Sequence, residues 1–82
     1  MITVQVYLFS TIRARIGQKK LEFELPPGSK VEDLKQMLTE QYPQAASTVR
    51  FMLTSVNQVF SDDNTLLSDN AEVAFFPHVS GG

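Results

Sequence analysis

The sequence predicts an α+β domain in which one main helix covers a mixed sheet of four to five strands. Three patterns in the 82-residue chain indicate this fold class: strand-like alternation of apolar residues, one amphipathic helical segment, and turn residues between them. The length allows one small domain and no more. Because the chain has no cysteine, an apolar core has to stabilise the fold without disulfide bonds.

The N-terminal segment is predicted to form a β-hairpin. Apolar side chains occupy every second position over residues 2–8, which is typical of a strand with one buried face. The alternation returns over residues 21–25, after turn residues at 17–20. Pro26 and Pro27 end this second strand because proline has no amide hydrogen to donate to a neighbouring strand.

The central segment is predicted to form the main helix, over residues 30–41. Its apolar positions recur at spacings of three and four, as on the buried stripe of a helix. These positions are Val31, Leu34, Met37 and Leu38. Ser29 and Glu32 have the spacing of a capping box, in which each side chain accepts a hydrogen bond from the other residue's amide. Pro43 ends the helix, since the residue before a proline avoids helical backbone angles.

The C-terminal half is predicted to contain a second hairpin and a last strand. Residues 44–49 are interpreted as a loop or a short helical turn. Strands at 50–56 and 59–60 flank the turn residues Asn57-Gln58, and the last strand covers residues 72–76. Pro77 then closes the regular structure.

The order of these elements is typical of one fold. The β-grasp or ubiquitin-like fold consists of a hairpin, a helix, a second hairpin and a last strand. Its first and last strands lie at the centre of the sheet. We expect this domain to cover residues 1–77 and a flexible tail to cover residues 78–82. The predicted core consists of Val4, Val6, Leu25, Leu34, Leu38, Val73 and Phe75.

Composition and charge argue against several classes of function. The formal net charge is −2 and the chain has only seven basic residues, which disfavours a surface for nucleic acid or anionic membrane. No apolar run approaches the roughly 20 residues of a membrane span. Residues 1–6 alternate like a strand and lack the basic flank and apolar block of a signal peptide, so we expect a cytoplasmic protein.

The segment after the last predicted strand carries Val79, Ser80, Gly81 and Gly82. Because glycine has no β-carbon, such a tail fits a narrow active site of another protein. A free α-carboxylate is unreactive towards nucleophiles and becomes an acyl donor only after activation, typically as an acyl-adenylate. A Gly-Gly end shortly after a β-grasp domain therefore predicts that a partner enzyme activates Gly82. The alternative is an ordinary frayed chain end.

Three phenylalanines are predicted to face away from the main helix. If Phe75 faces the helix, Phe76 faces the opposite side of the sheet, and the same parity turns Phe9 outward on the first strand. Phe60 also faces outward if Val59 points inward. A contiguous apolar patch on the open face of the sheet indicates a protein partner, whereas a bulge in a strand would change the parity.

Residue types that carry catalysis are sparse in this chain. His78 is the only histidine, and a lone histidine is usually an ordinary surface residue. Asp62, Asp63 and Asp69 fit turns better than a calcium loop. The sequence has no phosphate loop, dinucleotide fingerprint or nucleophile elbow. We therefore expect no enzyme activity from the chain alone, no stably bound cofactor and no metal site.

Several segments resemble one known family. The chain resembles the small, sulfur-carrier subunits of molybdopterin synthase in three segments: Ser-Val-Asn-Gln at 55–58, the run from Leu67 to Pro77, and Val-Ser-Gly-Gly at 79–82. These subunits are the MoaD type within the MoaD/ThiS group of β-grasp proteins. The first strand ending in Phe9 and the Leu-Pro-Pro-Gly-Ser approach to the helix also fit. The resemblance covers the whole chain.

The resemblance implies a sulfur carrier rather than an enzyme. An adenylating enzyme related to ubiquitin-activating enzymes would use ATP to convert the carboxylate of Gly82 to an acyl-adenylate, and a sulfur donor enzyme would replace AMP to give a thiocarboxylate. The tail would then enter the large, catalytic subunit of a heterotetrameric synthase and give its sulfur to cyclic pyranopterin monophosphate, in molybdenum cofactor synthesis. Phe9, Phe60 and Phe76 match the family's hydrophobic contact positions.

Two positions depart from the family pattern. Asn70 stands where the family commonly has a glycine, and asparagine tolerates the left-handed backbone conformation of such a turn. His78 stands where the family commonly has a second proline, which removes one fixed φ angle from the tail.

Three alternatives remain open from the sequence. Carriers of sulfur for thiamine thiazole synthesis share the Gly-Gly end but are usually shorter and lack the Phe-Phe-Pro segment. A ubiquitin-like modifier would be attached to target lysines through Gly82, by the same activation chemistry. A plain binding module would have an inert tail.

Overall fold

The computed structural model describes residues 1–77, and the predicted tail, with its Gly81 and Gly82, lies outside the described residues. Five strands and three α-helices make up the described part. The strands are β1 (Ile2–Leu8), β2 (Lys20–Leu25), β3 (Leu53–Val56), β4 (Val59–Ser61) and β5 (Ala71–Phe76). The α-helices are α1 (Ser10–Ile16), α2 (Val31–Gln41) and α3 (Ala46–Arg50), and a single 3₁₀ turn at Pro43–Ala45 precedes α3.

The strands form one mixed sheet in the order β2-β1-β5-β3-β4. The first and last strands, β1 and β5, are parallel neighbours at the centre, and every other strand pair is antiparallel. This topology confirms the predicted β-grasp fold with its first and last strands central. The parallel pairing brings the ends of β1 and β5 to the same edge of the sheet, which positions the candidate site.

The core lies between one face of the sheet and the helices. Alternate residues of the strands and the apolar stripe of α2 meet there, as the period-two and helical patterns predict. All seven predicted core residues are buried. The helices add Ile12 from α1 and Val49 from α3, both fully buried. Within residues 1–77, no helix is long and apolar enough to cross a membrane.

The helix α1 was not predicted from the sequence. It begins directly after Phe9 and ends at Gly17, whose φ of 84° and amide bond to the Arg13 carbonyl close the helix in the left-handed conformation that glycine favours. Only Ile12 is fully buried in these seven residues, and Ile16 packs partly against the core. With only these two inward-facing apolar side chains in seven residues, the sequence of the segment shows no clear helical period.

The predicted capping box of Ser29 and Glu32 is wrong by one residue. The Ser29 hydroxyl donates instead to the Pro26 carbonyl oxygen at 2.7 Å, which ties it to the turn after β2. The amide of Lys30 donates to Asp33 Oδ2 at 2.8 Å, so an acidic side chain still satisfies an amide at the start of α2. The helix accordingly begins at Val31 and not at Lys30.

One boundary predicted for the second hairpin also needs correction. The strand predicted over 50–56 is shorter, because α3 extends to Arg50 and buries Val49 before β3 begins at Leu53. Val59 lies opposite the buried Val56, on the helix side as the parity argument required, but it is 66% exposed because β4 is a three-residue edge strand. The predicted turn at Asn57-Gln58 is confirmed, with φ angles of 50° and 70° that suit a two-residue hairpin loop.

Candidate functional site

The face of the sheet opposite the helices carries the candidate site. The strand register places Lys20, Tyr7, Ala74, Ser55 and Phe60 in one row across the sheet. The next row, towards the carboxyl end of β5, contains Phe76 opposite Leu53. Phe9, the first residue after β1, joins this second row by stacking on Phe76.

Phe9, Phe60 and Phe76 form a cluster that we call the aromatic patch. The rings of Phe9 and Phe76 stack with centroids 5.1 Å apart and an angle of 11° between their planes. Phe60 meets Phe76 edge-on, at 6.3 Å and 62°. Both geometries are favourable for aromatic pairs. The parity of the strands predicted that these three residues face outward. The structure brings their rings together, although they come from different strands or strand ends.

The aromatic patch is open to solvent. Phe60 is 72% exposed and Phe9 is 42% exposed, while Phe76 is half-buried between them. The three rings border a depression of about 350 Å³, whose other walls are Tyr7, Ser55, Gln58, Glu72 and Ala74. Exposed aromatic rings around an apolar depression resemble the core of a protein interface more than an ordinary surface.

A pair of hydrogen bonds fixes the β3–β4 hairpin relative to β5. The amide of Asn57 donates to the Glu72 carbonyl oxygen at 2.8 Å, and the Asn57 side-chain oxygen accepts from the Glu72 amide at 2.9 Å. Asn57 therefore anchors the turn of the hairpin to the beginning of β5. This anchor sets the position of Phe60, on β4, against Phe76.

Along β1 and β2, a basic side chain lies next to the aromatic patch and an acidic side chain lies further from it. Next to the patch, the Lys20 ammonium lies 5.4 Å from the centroid of the Tyr7 ring, within the range of a cation–π contact. One row further from the patch, the Gln5 side-chain amide donates to Glu22 Oε2 at 3.0 Å. The surface thus changes from aromatic to basic to acidic along β1 and β2.

The chain continues from this site towards the predicted tail. β5 ends at Phe76, inside the aromatic patch, and Pro77 is the last described residue. His78 and the predicted site residues Val79, Ser80, Gly81 and Gly82 lie outside the described residues. In sequence, these residues follow the aromatic patch directly.

Comparisons with known proteins identify the family of this chain. The profile of the ThiS family matches residues 6–82. The chain belongs to the ThiS family. The molybdopterin synthase sulfur carrier subunit of Mycobacterium tuberculosis is 34% identical to it, over 100% of both chains.

Solved structures share the fold of this ThiS-family chain. The solution structure of small archaeal modifier protein 1 from Methanosarcina acetivorans has a TM-score of 0.80 and 26% identity, over 100% of this chain and 98% of that one. A protein–protein complex of subunits 1 and 2 of molybdopterin-converting factor from Helicobacter pylori gives a TM-score of 0.72 and 18% identity, over 99% and 100%. The second similarity supports the fold alone.

One residue of the site was missed by sequence reasoning. Leu53 lies directly opposite Phe76 and extends the apolar row on the open face. Its side-chain direction could be read only after β3 was known to begin there, because the sequence placed the strand start at Arg50. Within residues 1–77, no group of three or more His, Cys, Asp and Glu side chains is placed to hold a metal ion.

Proposed function

We propose that this chain is the sulfur-carrier subunit of a molybdopterin synthase. The observation that carries the proposal is the match to a curated sulfur carrier subunit, at 34% identity over the full length of both chains. The aromatic patch supports it, because a carrier needs a surface that proteins recognise close to the group it carries. The family match extends to residue 82, and so includes the Gly-Gly segment.

The proposed chemistry takes place at the α-carboxylate of Gly82. Its oxygen attacks the α-phosphorus of ATP on an adenylating enzyme, which releases pyrophosphate and leaves an acyl-adenylate. A hydrosulfide equivalent from a sulfur donor enzyme then attacks the acyl carbon and expels AMP, which gives the thiocarboxylate. In the synthase the thiocarboxylate sulfur attacks a carbon of cyclic pyranopterin monophosphate and displaces an oxygen substituent. Water then hydrolyses the resulting thioester, which leaves the sulfur on the pterin and regenerates the carboxylate of Gly82.

The chain's own residues serve recognition and access in this proposal. Phe9, Phe60 and Phe76 dock on the large subunit and on the adenylating enzyme. The tail before Gly82, with its small Ser80 and Gly81, reaches into the partner's active site, where a bulkier residue would collide. Acids and bases for the reaction come from the large subunit, and ATP is held by the adenylating enzyme, so the carrier itself binds no cofactor stably.

Intact mass measurement tests the proposal. The chain is co-expressed with a candidate adenylating enzyme and a sulfur source, beside a variant that lacks Gly82. We expect the full chain to gain the mass difference between one sulfur and one oxygen, and the variant to gain nothing. An unchanged mass of the full chain, with active enzyme and ATP present, would contradict the proposal.

A second candidate function is attachment to other proteins as a modifier. It is favoured by the 26% identity to small archaeal modifier protein 1 from Methanosarcina acetivorans. The same acyl-adenylate would then be attacked by a lysine amine instead of a hydrosulfide. Isopeptide-linked ladders that contain this chain and disappear with the Gly82 deletion would support the modifier. A carrier for thiamine thiazole synthesis would form the thiocarboxylate but would bind no molybdopterin synthase large subunit.

A further inference from the structure

The charges of the chain are segregated along the sequence. Residues 1–21 contain four of the seven basic residues and no acidic residue. Residues 22–82 contain the other three basic residues and all nine acidic residues. The formal charges are therefore +4 for the first segment and −6 for the second, which sum to the net charge of −2.

The fold gathers the N-terminal basic residues on α1 and the turn into β2, next in sequence to Phe9. Arg13, Lys19 and Lys20 line one open concavity of about 800 Å³ on α1 and the turn into β2. Arg15 is also exposed, on the last turn of α1. None of the four forms an ion pair with another residue in the range 1–77. We call these four residues the basic end.

The basic end and the aromatic patch form one continuous surface. α1 begins at the residue after Phe9, and the ammonium of Lys20 lies over the ring of Tyr7, which itself lines the depression of the patch. The carbonyl of Lys19 accepts a hydrogen bond from the Leu8 amide at 2.9 Å, so the turn is held against the end of β1. The cation of Lys20 therefore borders the patch on the β1–β2 side, and the other three follow on the adjoining turn and helix.

The opposite end of the sheet is acidic. Glu24 lies opposite Thr3 at the beginning of β1, and Asp69 Oδ1 accepts a hydrogen bond from the Thr3 amide at 2.8 Å. Asp33 bonds the Lys30 amide at the start of α2, which leads from the same end of the hairpin. The basic end thus borders the β1–β2 side of the aromatic patch, and this acidic end lies at the other end of β1. Glu72 lines the patch itself, and Asp62 and Asp63 share a depression with Leu53 on the β3–β4 side.

We propose that the basic end docks on a protein surface rich in aspartate and glutamate, next to the cleft that receives the C-terminal tail. The proposal rests on the proposed function, since the partner is the enzyme that acts on Gly82. An apolar anchor with a charged border is the usual anatomy of a protein interface. The acidic partner surface attracts the basic end, which brings the neighbouring aromatic patch to the partner.

A nucleic-acid ligand is the less favoured reading of the same cations. The acidic side chains Glu22 and Glu72 stand on the same sheet face, within two rows of Phe76. They would repel a phosphate backbone that ran along the sheet. A compact protein partner can contact the aromatic patch and the basic end without running along the sheet past these acidic side chains.

Stopped-flow association with the adenylating enzyme of the same organism tests the proposal, with the full chain at about 50 mM and about 500 mM salt. Lys19→Glu is compared with Lys30→Glu, which makes the same change of charge at the acidic end. We expect Lys19→Glu to slow association about three- to tenfold at low salt and little at high salt, since steering is screened by ions. Lys30→Glu should leave the rate within about twofold at both salt concentrations.

The outcomes separate this proposal from the proposed function. Equal rates for the two variants, or a loss that is independent of salt, would overturn docking through the basic end. After either of these two results, the carrier function still stands if Lys19→Glu gains sulfur at a saturating concentration of the adenylating enzyme. If the unchanged chain associates but never gains sulfur, the carrier function fails instead. Tight binding of a single-stranded RNA by the unchanged chain, lost in Lys19→Glu, would assign the basic end to nucleic acid and overturn the proposal.

Discussion

Asn70 stands in a left-handed backbone conformation, with φ of 65°, at the turn before β5. Its amide donates to the Thr3 carbonyl oxygen at 2.6 Å, and thereby joins the beginning of β5 to the beginning of β1. The resemblance to the carrier family indicated a glycine here, and asparagine was predicted to preserve the turn. The structure confirms that prediction, because asparagine adopts this conformation more readily than most side chains.

Replacement of Asn70 tests how much this backbone conformation matters. We expect Asn70→Ala to lower the free energy of unfolding by about 1 kcal/mol, since alanine is strained at positive φ. Asn70→Gly should be equal to or slightly more stable than the unchanged chain. Urea denaturation followed by circular dichroism measures both. A fully stable alanine variant would show that the turn relaxes to another conformation.

Thr54 offers a second prediction at the scale of one residue. Its side chain is buried in β3, and its hydroxyl finds no hydrogen-bond partner in residues 1–77. Because a buried unsatisfied polar atom costs about 1–3 kcal/mol, Thr54→Val, which keeps the shape, should raise the free energy of unfolding by about 1 kcal/mol. Thr54→Ser keeps the hydroxyl and loses a methyl group, so it should be destabilised. A valine variant that is less stable would point to a polar partner for the hydroxyl.

The elements differ in how well the sequence predicts them. Period-two alternation identified β1, β2 and β5, because each has one buried and one open face and the period survives over at least five residues. The main helix was equally clear from its buried stripe. The seven residues of α1 and the five of α3 are too short to establish a period, and their helical form depends on packing against the rest of the fold.

The dependence of α1 on packing can be measured through Ile12, its one fully buried side chain. We expect Ile12→Ala to lower the free energy of unfolding by about 2–4 kcal/mol, because it removes apolar contacts and leaves a cavity. Arg15→Ala on the exposed face of the same helix should change it by less than about 0.5 kcal/mol. Thermal and urea unfolding of the two variants check this. If helix propensity rather than packing stabilised α1, both variants would instead gain stability, because alanine is the strongest helix former.

At the scale of the whole molecule, several partners share one surface, the aromatic patch, in the proposed function. The parity of the strands predicted Phe9, Phe60 and Phe76, because one assignment of a buried face determines the other face. Leu53 and the basic end could not be predicted in this way, since they depend on strand register and on a helix that the sequence did not reveal. Side chains that follow the alternation of a recognised strand were thus accessible from sequence. Leu53, at a misplaced strand start, and the basic end, which joins two elements, were not.

Shared use of the aromatic patch predicts competition between partners. We expect the large synthase subunit to displace the adenylating enzyme from the chain, and Phe76→Glu to weaken the affinity for both by at least about tenfold, since it places a charge in the interface core. Leu66→Glu is the matched control, because Leu66 is 64% exposed and lies outside the patch. Competition titrations with purified partners measure this. Simultaneous binding of both partners, or unchanged affinities, would show that they use separate surfaces.

The parallel pairing of β1 with β5 has a consequence for how the chain folds as the ribosome makes it. The central strand pair joins the beginning of the domain to its end, so its contacts span almost the whole sequence. Such distant contacts form late in folding, because a long stretch of chain has to be ordered first. On the ribosome, the centre of the sheet can therefore close only after β5 has left the exit tunnel. A nascent chain truncated before β5 lacks both the central strand and Phe76, so in the proposed function incomplete products would not compete for the partner enzymes.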